Sequence, residues 1–188
     1  AALAVAREMG HARLECIVLG NLGIVFSSLG RAHDALVHYE AALAIARQIG
    51  ERRYEGQFLN YLGLLHARER RWDEARRSLD TGEVLLREVS DKVSLGVLLC
   101  SRAEAEHRVD APAAARAALS EARSLALEAG SGPESEFGLS LAKIEALLRG
   151  MGCGYIPEPM VRQHLRSGTL LQKKTLRPNA PARMGYAW

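Results

Sequence analysis

Aromatic side chains are scarce in this chain, at 5% of its 188 residues, and cysteine is confined to three positions. Cys16, Cys100 and Cys153 are odd in number, far apart and without CxxC spacing, so neither a disulfide framework nor a zinc site is indicated. That usage fits a reducing compartment, and a cytoplasmic location is expected. Long hydrophobic runs are missing too: no stretch approaches the ~20 apolar residues that cross a bilayer, and no membrane role is expected. There is no glycine-rich phosphate loop, no GxSxG and no metalloprotease string, so the expectation is no enzyme and no cofactor. Charge of one sign is not in strong excess, with 25 Lys and Arg against 22 Asp and Glu, which gives no pointer to nucleic acid. The chain has no initiating Met and begins inside helical periodicity, as an excerpt from a longer protein would. Its opening AALAVAREMG returns as AALAIARQIG at Ala41 to Gly50, which marks it as part of a repeat and not a signal-peptide core.

What the chain does have is alanine, leucine and a period. From Arg13 to Gly50 it reads RLECIVLGNLGIVFSSLG and then RAHDALVHYEAALAIARQIG, two amphipathic runs parted by a Gly-Arg break, the outline of a helical hairpin. Sliding the chain along itself by about forty residues restores the pattern, and a fixed period in that range marks a solenoid. In register the units are 1–40, 41–80, 81–120 and 121–150, the last stopping after its next helix. Leu19/Leu59/Leu99 and Ala35/Ala75/Ala115 repeat in all three hairpins. The alanines lie early on each second helix, where only a methyl lets two helices approach closely. Gly10, Gly50 and Gly130 follow the second helices at a left-handed cap position; Ser90 departs from that column, and Gly30 occupies the other break.

Leu19, Leu22-Gly23, Phe26, Ala35, Tyr39 and Ala42 in the first hairpin, and Leu59, Leu62-Gly63, His66, Ala75, Leu79 and Gly82 in the second, resemble the tetratricopeptide repeat in its longer variety. The resemblance covers residues 1–150 and implies an all-α fold, a right-handed superhelix of antiparallel helix pairs. The third unit departs at Arg102-Ala103 and Glu106, which predicts a first helix that is tilted or more exposed. The family's closing Pro is replaced by Arg47 and Arg87, consistent with longer second helices. The strings LGNLG, LNYLG and YEAALAIAR resemble repeats of bacterial signalling and transcription regulators and of kinesin light chains.

Beyond Gly150 the character changes. Arg162, Arg166, Lys173, Lys174, Arg177 and Arg183 face the single acid Glu158, Gly and Pro cluster, and TLLQKKTL favours strand. A short helix followed by two strands is expected, a non-repeat α/β tail over residues 151–188. Gly152, Gly154, Pro157, the run Met160 to Arg166, Gly168, Leu170-Leu171 and Tyr186-Ala187-Trp188 resemble the end of a LysR-type effector-binding domain. That tail is either a fusion or a truncated fragment joined to the repeats.

By analogy with the tetratricopeptide family, the first helix of each pair lines a concave face. The candidate peptide-binding residues there are Asn21 and Ser28; Gln57, Asn60, Tyr61 and Arg68; and Ser101 and Arg108. Asn21 and Asn60 offer paired amide hydrogen bonds to a peptide backbone, and Arg68 and Arg108 offer guanidinium groups to a carboxylate. Other chemistry is weaker. His33 and His38 are five apart, off the i, i+4 face that two metal ligands need, and with His11 and His66 they read as structural. In ARERRWDEARR the acids Glu69, Asp73 and Glu74 interleave with arginines, as in a solvated surface paired at i, i+4. The expectation is therefore a non-catalytic protein- or peptide-interaction module of a bacterial signalling or transcription-regulatory protein, without direct nucleic-acid binding. Two alternatives stand beside it: a ligand-responsive transcription regulator retaining part of a LysR-type effector domain, and self-association into a homo-oligomer through uncapped repeat ends.

Overall fold

The structure, a computed structural model, describes residues 2–148, which are all-helical with no strand among them. The helices are α1 (Ala2–Glu8), α2 (Ala12–Ser28), α3 (Ala32–Gln48), α4 (Arg52–Arg68), α5 (Trp72–Glu88), α6 (Lys92–Arg108), α7 (Pro112–Glu128) and α8 (Glu136–Leu148). From α2 to α7 every helix has 17 residues. The chain divides into two compact units, Ala1–Glu145 and Ala146–Trp188; of the second only the last turn of α8 is described. The expected α/β tail and Cys153 lie outside the described residues.

The breaks are as regular as the helices. Gly10, Gly30, Gly50, Arg70, Ser90, Asp110 and Gly130 all have φ between 55° and 73°. At each break two hydrogen bonds close the helix behind it: in the first, the Gly10 N–H donates to the Arg7 carbonyl and the His11 N–H to the Ala6 carbonyl, each at 3.0 Å. The same pair recurs down to Gly130 to Leu127 and Ser131 to Ala126. These are Schellman closures, which need a left-handed residue at the turn. The sequence pattern identifies the glycines but not Arg70 and Asp110, whose side chains carry no left-handed signal strong enough to read.

Side-chain caps are fewer. His11 Nδ1 accepts the Leu14 N–H and Asp91 accepts the Ser94 N–H, while α7 opens on Pro112, which has no N–H to leave unpaired. The break before α8 is longer: Ser135 caps that helix by accepting the Gly138 N–H at 3.0 Å.

Packing follows the forty-residue columns. Ala35, Ala75 and Ala115 are fully buried or nearly so, as their size predicts, and Leu19, Leu59 and Leu99 form the matching stripe on α2, α4 and α6. Gly63 shows why small residues recur: a Cβ there would meet Leu79 at 2.7 Å and the Ala75 carbonyl at 3.2 Å. Backbones of the even-numbered helices approach one another, α2 to α4 and α4 to α6, whereas α5 and α7 are bridged by side chains such as Arg87 to Glu121. The even layer is the tighter one.

The expectation that α6 is more exposed is corrected. It has the longest run of buried side chains of any described helix, including Leu95, Leu98, Leu99, Ala103 and Ala105. The polar substitutions are accommodated by partners: Arg102 pairs with Asp80 at 2.8 Å and Glu83 at 2.9 Å, and buried Glu106 takes a two-pronged bond from Arg76 at 3.1 and 3.3 Å. Burial is preserved because α6 is sandwiched between α5, α7 and the Phe137 ring of α8. That ring is fully buried and sits where a Cβ on Gly96 would stand, so glycine there is what admits it.

Ion pairs also repeat by forty residues. Arg7–Glu15 and Arg47–Glu55, Arg13–Glu51 and Arg53–Asp91, and Arg52–Glu88 and Lys92–Glu128 are three equivalent couples. Each is exposed on at least one side and worth little alone. In the ARERRWDEARR surface the pairing differs from the i, i+4 expectation: Arg68 reaches Glu104 and Arg76 reaches Glu106, both on another helix.

Candidate functional site

The forty-residue register stacks equivalent positions of α2, α4 and α6 side by side. One column is Ser28, Arg68 and Arg108; the next is Ile24, Leu64 and Glu104; the next is Asn21, Tyr61 and Ser101. Two cavities open on this face. One, of about 150 Å³, is lined by Asn60, Tyr61, Leu64, Val97, Ser101, Glu104, Glu136 and Lys143, among others. The second, of about 210 Å³, lies against Ile24, Ser27, Ser28, Tyr39, Tyr61, Leu64 and Arg68. Tyr61 and Leu64 belong to both and form the ridge between them.

Glu104 lines the first cavity, and its side chain is only 5% exposed. It receives Arg108 at 2.9 Å, Lys143 at 3.0 Å and Arg68 at 3.5 Å, cations from three different helices. Burial pushes its carboxyl up, but Lys143, Arg108 and Arg68 together outweigh that and hold it below the usual glutamate range. Sequence reasoning named Arg68 and Arg108 as receivers of a carboxylate. In the folded chain that carboxylate is the protein's own, and Lys143 is a third partner that the repeat pattern missed because α8 is out of the forty-residue register.

The other sequence candidates divide clearly. Asn60 is 4% exposed, lines the first cavity, and its Oδ1 has no hydrogen-bond partner. A buried acceptor without a donor costs about 1–3 kcal/mol. Tyr61 is half-buried and stacked on Tyr39 with ring centroids 5.3 Å apart. Burial first, then Glu136, pushes the Tyr61 hydroxyl pKa up; burial and Tyr61 push that of Tyr39 to about 12, so both are neutral hydroxyls.

Gln57 is committed elsewhere. Its Nε2 donates to Ser94 Oγ at 2.7 Å, and Ser94 in turn donates to Asp91, tying α4 to the start of α6. Ser28 and Ser101 donate to carbonyls of their own helices, Val25 and Val97, which leaves only their acceptor capacity. Asn21 is exposed and lies outside both cavities. The face thus concentrates its unsatisfied and charged chemistry on α4, α6 and α8 rather than spreading it evenly over the repeats.

The remaining reactive groups are engaged or shielded. Cys16 donates its thiol to the Ala42 carbonyl at 3.4 Å, and burial lifts its pKa to about 11; burial lifts that of Cys100 to about 12. Neither is a thiolate nucleophile at neutral pH. His11 caps α2, His38 Nδ1 is 2.7 Å from the Asp34 carbonyl, and burial followed by Arg71 lowers the pKa of His66 and keeps its ring neutral. Among the described residues no helix is long and apolar enough to cross a membrane. No family model matches the sequence, and no match is found among curated proteins.

Proposed function

We propose that residues 1–150 are a tetratricopeptide-type superhelix whose even-numbered helices line the concave side, and that this face binds a protein or peptide segment without catalysis. One observation carries the reading: the tighter helix layer presents two adjoining cavities beside a cluster of Arg68, Arg108 and Lys143. Repeat proteins use such extended inner surfaces for recognition. The setting that fits the repeat resemblance is a cytoplasmic signalling or transcription-regulatory protein of bacterial type.

The test is selection of a displayed library of random peptides on the full chain, followed by titration of an enriched peptide. The double variant Asn60→Ala, Arg68→Ala is expected to weaken binding at least tenfold, consistent with the loss of about 1.5–3 kcal/mol for a charge-assisted contact, while circular dichroism retains its helicity. An unchanged affinity removes the groove assignment.

A second reading rests on a different surface. Val5, Met9, Leu14, Val25 and Leu29 are exposed on α1, α2 and the breaks that follow them, with Met9 and Leu29 about two-thirds exposed. These side chains favour self-association at that end of the stack. Sedimentation velocity over a concentration series checks it: a shift toward dimer that Leu29→Ser abolishes supports self-association, and a concentration-independent monomer excludes it.

A further inference from the structure

The position that the second helix pair gives to His66 is held by Phe26 in the first pair and by Glu106 in the third. Each occupant of this column meets its surroundings differently. Phe26 is apolar and packs on the His38 ring, and buried Glu106 takes the two-pronged bond from Arg76. His66 has neither solution: its ring is half-buried, and its Nδ1 is shut off from solvent without a hydrogen-bond partner. The ring belongs to α4, which packs against α2, α3, α5 and α6, and it lies outside both cavities of the even-helix face.

The two protonation states of the ring meet this site unequally. A neutral imidazole can keep its hydrogen on Nε2 and leave only a lone pair at Nδ1, whereas the charged ring carries a hydrogen on both nitrogens, whichever tautomer precedes it. At Nδ1 that hydrogen would have no acceptor, and an unmatched buried donor is costlier when its group is charged. The surrounding charges do not rescue it. Burial first, then Arg71 at the break before α5, disfavour the charged form, and Glu74 of α5 and Glu40 of α3 offset them only in part.

We propose that His66 is an acid-sensitive switch in the middle of the stack: the neutral ring lets α4 seat against α3 and α5, and the charged ring loosens that seat. Because the folded chain resists the proton, the unfolded chain takes it first as pH falls. Stability is therefore complete above the ordinary histidine value of about 6.5 and declines below it, toward the lowered folded value. The unfolding equilibrium constant rises over this window by up to about tenfold per pH unit, the limit for a single proton. Glu104 loses its charge only below the ordinary glutamate range, so the two groups act in separate windows.

The experiment is chemical denaturation of the full chain at a series of pH values from about 7.5 to about 5, spanning the histidine range. Beside it run His66→Phe, which copies the first helix pair, and His33→Gln, a change at an exposed histidine of α3. The original protein and His33→Gln are expected to lose stability below about pH 6.5, and His66→Phe to give a clearly flatter profile. Equal slopes in His66→Phe and the original protein overturn the proposal. Magnetic resonance titration of the His66 ring in the original protein decides it even if His66→Phe does not fold. A midpoint below the ordinary histidine value supports the switch, and one at or above that value overturns it. Hydrogen exchange at about pH 5.5 places the loosening: protection lost in α4 and α5 before α6 and α7 is expected, and uniform loss overturns a switch seated at α4.

Discussion

The hairpin of α2 and α3 and the hairpin of α6 and α7 have helices of the same length and the same three-residue breaks, yet the charge on their even-numbered helices is arranged differently. The first presents Ile24, Val25 and Leu29 to solvent, and its ion pairs are exposed. The third presents Ser101 and Arg108 around a buried glutamate that also draws in Arg68 and Lys143. The columns Leu19/Leu99, Ala35/Ala115 and Ala42/Ala122 are the same in both, so a few shared positions hold the helix pairs together while the surface chemistry is set by others. A repeat can therefore change its surface chemistry without changing how it folds, since substitutions on the outer columns cost little core energy.

The two regions differ in their turns as well. The first three left-handed positions are Gly10, Gly30 and Gly50; the next three are Arg70, Ser90 and Asp110. A side chain in that conformation costs about 1–2 kcal/mol relative to glycine, so the three middle turns hold strain that the first three and Gly130 lack.

The largest way to break the comparison is at Phe137. Truncating this fully buried ring to alanine is expected to cost about 3–5 kcal/mol and to release α8, which carries Lys143. Chemical denaturation gives the loss, and hydrogen exchange should show deprotection spreading from α8 into α6 while α2 and α3 stay protected. Uniform deprotection would mean that the two hairpins are not separable.

A smaller effect comes from Glu104. Its carboxyl pKa is lower in the folded chain than in the unfolded one, so its contribution to stability is present above the ordinary glutamate range and is lost as pH falls through the lowered folded value. Glu104→Gln is expected to cost about 1–3 kcal/mol at neutral pH and to flatten the acid limb of the stability curve. Equal acid sensitivity in the variant and the original protein would show that the three cations do not depend on this carboxylate.

The smallest effect sharpens the contrast in turns. Arg70→Gly and Ser90→Gly are each expected to stabilise by about 1 kcal/mol, and Gly30→Ala to destabilise by a similar amount. Melting temperatures of the three variants suffice to check it. A destabilised Arg70→Gly would mean that the arginine side chain contributes more than its backbone strain costs.

Much of the fold is legible before any coordinates. The Ala35/Ala75/Ala115 column, the leucine stripe and the glycines each have a local cause, close approach, burial or left-handed φ, and each is found where periodicity puts it. The site is less legible. Asn60, Tyr61, Arg68, Ser101 and Arg108 do line or reach the same face, because helix phase alone decides which way they point. Gln57 was legible as a position but not as a bond, since its partner Ser94 lies on another helix. Lys143 and Phe137 were not legible at all, because the seven-residue break before α8 shifts it out of the repeat register.

By itself the sequence determined the glycine-closed breaks, the main buried columns and how often the unit recurs, since these depend on contacts within about one turn or one hairpin. Tertiary structure alone decided that α6 is the most deeply packed helix, that a phenylalanine from α8 fills the space over Gly96, and that three cations converge on Glu104. Those depend on side chains from different helices meeting at one point, and the distance between them along the chain, 36 residues for Arg68 and 39 for Lys143, leaves no local pattern to read.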